Sequence, residues 1–244
     1  MMRAALAAAL AWLPVCAAAD EDRFVEANLV SILYHELGHA MIDLLRLPVY
    51  GQEEDAADVA SILLIHALFA EDSARAIAAD AARGFEAEAR VFAETGDAPA
   101  YWAVHGPDTQ RFYNTVCLFY GGDAARRDRF ARSFDLPGER AETCEEEFAL
   151  AIDSWGAVFD ELADAVDSGA PLRLREAGRG LTADVVRREV ADLNARFGWP
   201  ERLDVTVDRC GEANAFYDPV TVEIVMCREY EPYLRDLYRD VVAL

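Results

Sequence analysis

The stretch DRFVEANLVSILYHELGHAMIDLLRL, Asp22 to Leu47, decides how the rest of the chain is read. Its apolar residues fall at Val25, Leu29, Ile32, Leu33, Leu37, Met41, Leu44 and Leu45, the spacing of one face of an α-helix. Asp20, Glu21 and Asp22 suit the positive end of the helix dipole, and Pro48 predicts the helix end. Within this helix His35 and His39 are one turn apart, so both imidazoles reach one ion from the same face. Glu36 stands one residue round, where its carboxylate can take a proton from water in the ion's open position. The chain has only four histidines. A chance match to H-E-x-x-H is on the order of one in a hundred chains of this composition, so zinc binding is favoured over two merely buried histidines.

A catalytic zinc takes a third protein ligand and keeps one position open. Glu54-Asp55-Ala56-Ala57-Asp58 reads E-x-x-A-D and offers Glu54 as that ligand. Asp58, one turn later, would accept a hydrogen bond from a ligand histidine and fix its tautomer. His39 lies roughly 12 Å below the helix end at Leu47. An extended run from Arg46 to Glu53 covers that distance on the way back. The plainer reading is that these acids decorate a helix N-terminus, as Glu53 and Asp55 are expected to do.

H-E-x-x-H followed by E-x-x-A-D resembles the gluzincin type of metallopeptidase. More narrowly, the chain resembles a bacterial metallopeptidase family of unknown function. The resemblance rests on Tyr34 to Ala40, Leu47 to Asp58, Gln110-Arg111-Phe112-Tyr113-Asn114, and Cys210 to Pro219. It implies a zincin-like fold, one Zn2+ per chain and a peptide or protein substrate. Gluzincins often stabilise the oxyanion with a His or Tyr from a later segment. His105 is the first candidate here, with Tyr113 and Arg111 next. Asn214 and Tyr217 are candidates to line a cleft. His66 lies in an apolar helical run, rotated away from Glu54, and reads as structural.

Outward from this segment, helices are predicted over Glu53 to about Ala70, Asp72 to about Glu94, Asp108 to Tyr120, Glu145 to Val166, Thr182 to about Phe197, and Glu229 to Val242. Thr95 to Pro107 and Gly169 to Gly180 read as connections, and the Arg-rich segment after Gly122 as a polar stretch. Leu203 to Val207 alternates like a strand. Ala215 to Tyr217 and Thr221 to Met226 flank the turn signal Asp218-Pro219 and predict a hairpin. The expected class is α+β, mainly helical, with a small antiparallel sheet near the C-terminus.

Of the 244 residues, 53% are hydrophobic, enough for a core and too many for a disordered chain. The net charge is −22, and all 23 basic residues are Arg. So acidic a chain is a poor partner for nucleic acid, which needs a basic face. Arg3, the apolar run Ala4 to Leu13 and Ala17-Ala18-Ala19 predict a signal peptide over residues 1–19, with Asp20 as the new N-terminus. Val15 disfavours a lipoprotein site at Cys16. The mature chain is then one exported domain, residues 20–244, periplasmic or secreted, with no membrane span. Export leaves Cys117, Cys144, Cys210 and Cys227, and an even number in an oxidising compartment predicts disulfides. Sequence alone allows three pairings; Cys117–Cys144 and Cys210–Cys227 are favoured because each brackets a compact local unit, and the spacing resembles no zinc-thiolate site.

Three functions remain open at this level. One is an exported zinc endopeptidase with Glu36 as general base. The second is an inactive zinc-holding protein that binds peptides or a partner in the cell envelope. The third is a purely structural metal site in a helical binding module; three protein ligands plus water argue for catalysis, a fourth protein ligand for structure.

Overall fold

The computed structural model describes residues 13–175 and 177–243. The predicted signal segment lies largely outside them; its residues 13–19 belong to the first helix.

Helix α1 (Leu13–Leu44) is the axis of the molecule. It packs against α2 (Glu53–Leu68), α3 (Glu71–Thr95), α8 (Leu181–Asn194) and α9 (Tyr230–Leu237), and against the strands β3 (Ala215–Asp218) and β4 (Glu223–Cys227). Neighbours on several sides bury Phe24, Leu29, Leu33, Tyr34, Leu37 and Met41, and with them the polar Asn28, Ser31, His35 and Glu36. The helix ends three residues earlier than the sequence pattern suggests. Arg46 takes a left-handed conformation at φ 52°, Arg46 N–H donates to the Asp43 carbonyl and Leu47 N–H to the Ile42 carbonyl. This αL cap closes the helix before Pro48 is reached.

Helices α4 (Asp108–Gly121) and α7 (Cys144–Asp164) complete the helical layer, joined by the Cys117–Cys144 disulfide. The Arg-rich segment between them, expected as a polar stretch, forms α5 (Ala124–Ser133) and the short α6 (Gly138–Ala141). Asp123 caps α5 by accepting from Arg126 N–H, and Arg127 turns inward and is 1% exposed.

The sheet has four strands in the order β1-β2-β4-β3, with β1 at Leu172–Leu174 and β2 at Leu203–Asp208. The hairpin β3–β4 is antiparallel as expected, but β1–β2 and β2–β4 are parallel, so the sheet as a whole is mixed. Helix α8 makes the crossover from β1 to β2, as parallel neighbours require. Three residues of strand inside a Gly- and Ala-containing connector carry no period of their own. Leu172 joins the sheet because it pairs beside Leu203 and is buried there. The Cys210–Cys227 disulfide ties the β2–β3 connection to the end of β4. Among the described residues no helix is long and apolar enough to cross a membrane.

Candidate metal centre

The site is built where α1 and α2 cross. A Cβ on Gly38 would stand 2.9 Å from the Ala57 Cα, so only glycine allows the helices this close. Ala57 lies between Glu54 and Asp58, and the close crossing brings both acids against the histidine face of α1.

His35 Nε2 lies 3.1 Å from Glu54 Oε2, His39 Nε2 lies 3.2 Å from the same oxygen, and the two Nε2 atoms are 3.2 Å apart. Donors bound tetrahedrally to zinc at about 2.0–2.1 Å stand roughly 3.3 Å from one another. The triangle therefore has the size of one face of a zinc tetrahedron, and its chemistry, two imidazoles and a carboxylate, suits that ion. The opposite ring nitrogens are also held. His35 Nδ1 donates to Asp58 Oδ1 at 2.8 Å, and His39 Nδ1 to Glu53 Oε1 at 2.8 Å. These bonds leave both Nε2 lone pairs facing inward. Glu53 thus does more than decorate the start of α2.

Asp58 is itself clamped. Arg111 donates from Nε to Oδ2 and from Nη2 to Oδ1, each at 2.8 Å, and its guanidinium lies over the Phe85 ring at 4.2 Å. Burial alone would raise the Asp58 carboxyl, but Arg111 and His35 hold it well below the usual carboxylate range. Glu54 is likewise held far down, by His105 first and then His35 and His39. Burial would lower His35, yet its bonds to Asp58 and Glu54 outweigh that and raise it to about 9. His39 is raised by Glu54 and Glu53 against the same opposing burial. Glu36 is buried beside them and lies higher than an ordinary Glu. Burial raises it, His35 and His39 pull the other way, Glu54 adds to the rise, and the Tyr217 main-chain N–H lowers it.

The centre opens on a cleft of about 1030 Å³. One wall is the Gly96–Pro107 connection with Trp102, Val104 and His105; the other is the β3 region with Asn214, Phe216 and Tyr217. Tyr217 Oη donates to Asp43 Oδ2 at 2.8 Å on the α1 side of the cleft. His105 Nε2 lies 2.8 Å from Glu54 Oε2. Tyr113 is not brought to the cleft: its ring meets Phe112 edge-on and packs on the core. Two residues along α4 from Arg111, it points away from the Asp58 side, because helix neighbours share a face only at three or four residues. His66 is remote; its Nδ1 accepts from Arg127 Nη2 at 2.9 Å.

Sequence reasoning missed Glu53 as a partner of His39, Arg111 as the clamp on Asp58, and Tyr230 in the cleft lining. An arginine in the stretch that carries the family resemblance was the one available signal for Arg111.

A model for the family described as "Putative metallopeptidase" matches residues 15–159 and 177–241. No curated protein and no solved structure matches the chain.

Proposed function

The chain belongs to this metallopeptidase family, and from that premise we propose that it is an exported zinc peptidase of gluzincin type with a zincin-like fold. His35, His39 and Glu54 would hold the ion. The observation that carries the reading is the triangle of donors at 3.1 to 3.2 Å, with both outer histidine nitrogens tied to carboxylates. When bound, zinc supplies a water acidic enough to lose a proton near neutral pH and an electrophile for the peptide carbonyl.

Glu36 is the general base of this reading. Its raised affinity for a proton suits a group that takes one from water and returns it to the leaving nitrogen. Asp58, held by Arg111, and Glu53 act as positioning residues for the two imidazoles. Of the residues considered for the oxyanion, His105 and Arg111 line the cleft, and with Arg111 engaged by Asp58 the role falls to His105. Among the described residues β3 is the edge strand of the sheet and borders the cleft, so a peptide substrate would bind there as an added strand. The two disulfides support an oxidising compartment, and with it export.

Metal content of the purified protein beside Glu54→Ala tests the site. The expected result is about one zinc per wild-type chain, lost or greatly weakened in the variant. Glu36→Gln should keep its zinc and lose peptidase activity by about 10²- to 10⁴-fold. Equal rates for wild type and Glu36→Gln would remove the enzyme reading and leave the zinc-holding partner-binding protein.

A further inference from the structure

The position of His105 says more than its nearness to the cleft. Three imidazole Nε2 atoms, those of His35, His39 and His105, converge on one oxygen of Glu54 at 3.1, 3.2 and 2.8 Å. That oxygen, Oε2, is the one that faces both helix histidines. The donor atoms of His35, Glu54 and His105 lie within 4.8 Å of one another, a group that does not include His39. The His105 and His35 rings are stacked, with centroids 6.1 Å apart.

We propose that His105 is a fourth, exchangeable protein ligand of the metal centre, and that substrate must displace it. The proposal rests on the metal reading of His35, His39 and Glu54. His35 and His39 are fixed in a buried helix, whereas His105 sits in a connection and its side chain is 48% exposed. Local turn bonds order the connection around it, Tyr101 N–H to the Pro99 carbonyl and Ala103 N–H to the Ala100 carbonyl. Beside His105 the same segment presents Trp102, 87% exposed, and Val104, both lining the cleft. An apolar peptide side chain entering the cleft would cover Trp102 and Val104 and move the segment that carries His105. The resting centre would then be closed by protein, and a polypeptide with large apolar side chains is the substrate class that opens it.

X-ray absorption of the zinc-loaded full chain counts the imidazoles directly, and the wild-type count needs no variant. His105→Phe keeps the ring and removes the donor; chelator competition then reads its zinc affinity. Loss of an orienting partner alone weakens metal binding by about 10- to 100-fold, so loss of a direct ligand is expected at or above about tenfold. Three imidazoles in wild type, two in His105→Phe and weaker zinc support the proposal. Two imidazoles in both proteins, with zinc bound equally well, overturn it and leave the three-donor site standing. A folded wild type that takes up no zinc overturns the metal reading, and this proposal with it.

Discussion

Asp58 shows how much one carboxylate is asked to do. It accepts from His35 Nδ1 and from two nitrogens of Arg111, all at 2.8 Å, and so transmits the position of α4 to His35 on α1. Asp58→Asn preserves the shape but gives up the charge that holds both partners. Zinc affinity, read by competition with a chelator, is expected to fall about 10- to 100-fold, with the helix content unchanged. Affinity equal to wild type would show that His35 needs no such orientation. The residue-level content of the site was unevenly legible. His35, Glu36 and His39 were visible because helical periodicity puts them together without help from the rest of the chain. Glu54 and Asp58 needed only the assumption that the next helix returns along the first. Arg111 reaches Asp58 across 53 residues, and no local pattern signals a contact of that kind.

At the scale of elements, the crossing of α1 and α2 controls the centre. Alanine is the better helix former by about 1 kcal/mol, so Gly38→Ala would stabilise an isolated α1. In the folded protein its methyl would meet the Ala57 backbone at 2.9 Å. Overpacking of this kind costs about 1–3 kcal/mol and pushes Glu54 and Asp58 away from the histidines. The expected outcome is a less stable protein that binds zinc more weakly, measured by urea unfolding and metal titration. A more stable Gly38→Ala would disprove the tight crossing. The Cys210–Cys227 bridge belongs to the same scale. It closes a span of 17 residues around β3, the strand that borders the cleft. Replacing both cysteines with serine should lower stability by about 3 kcal/mol in the chain-entropy picture. Unchanged unfolding under reducing and oxidising conditions would contradict that. The hairpin inside this span was legible from Asp218-Pro219 and the flanking apolar runs. Its parallel join to β2 was not, because strand order depends on which edges meet after the crossover.

Across the whole molecule, Arg127 ties four helices together. From α5 its guanidinium donates to the Glu71 carboxylate at the start of α3, to His66 Nδ1 on α2 and to the Phe119 carbonyl on α4. As an acceptor from a cation, His66 must be neutral. Burial and then Arg127 lower its pKa below the ordinary 6.5, and Arg127 lowers that of Glu71 below the ordinary 4.5. For both groups the unfolded chain binds protons more readily than the folded one. Their stabilisation is therefore full above the unfolded values and is lost as pH falls, His66 first, from about 6.5, and Glu71 from about 4.5. His66→Gln keeps an acceptor for Arg127 and removes the titration. Wild type should lose stability relative to this variant as the pH falls below about 6.5, read as the difference in urea midpoints. A difference that does not change with pH would show that His66 is not held neutral by this clamp. By itself, the sequence determined the helical class, the histidine–glutamate face of α1 and the return of α2, since each follows from spacing along the chain, and it favoured the local disulfide pairs among three possible pairings. Only the tertiary structure decided that an arginine in a polar stretch is buried and that β1 joins a mixed sheet. It alone brought in Glu53, and it set how Arg111 and His105, already candidates in the sequence, meet Asp58 and Glu54. Those contacts join residues far apart in the chain, and they exist only once packing has set which helix faces lie against one another.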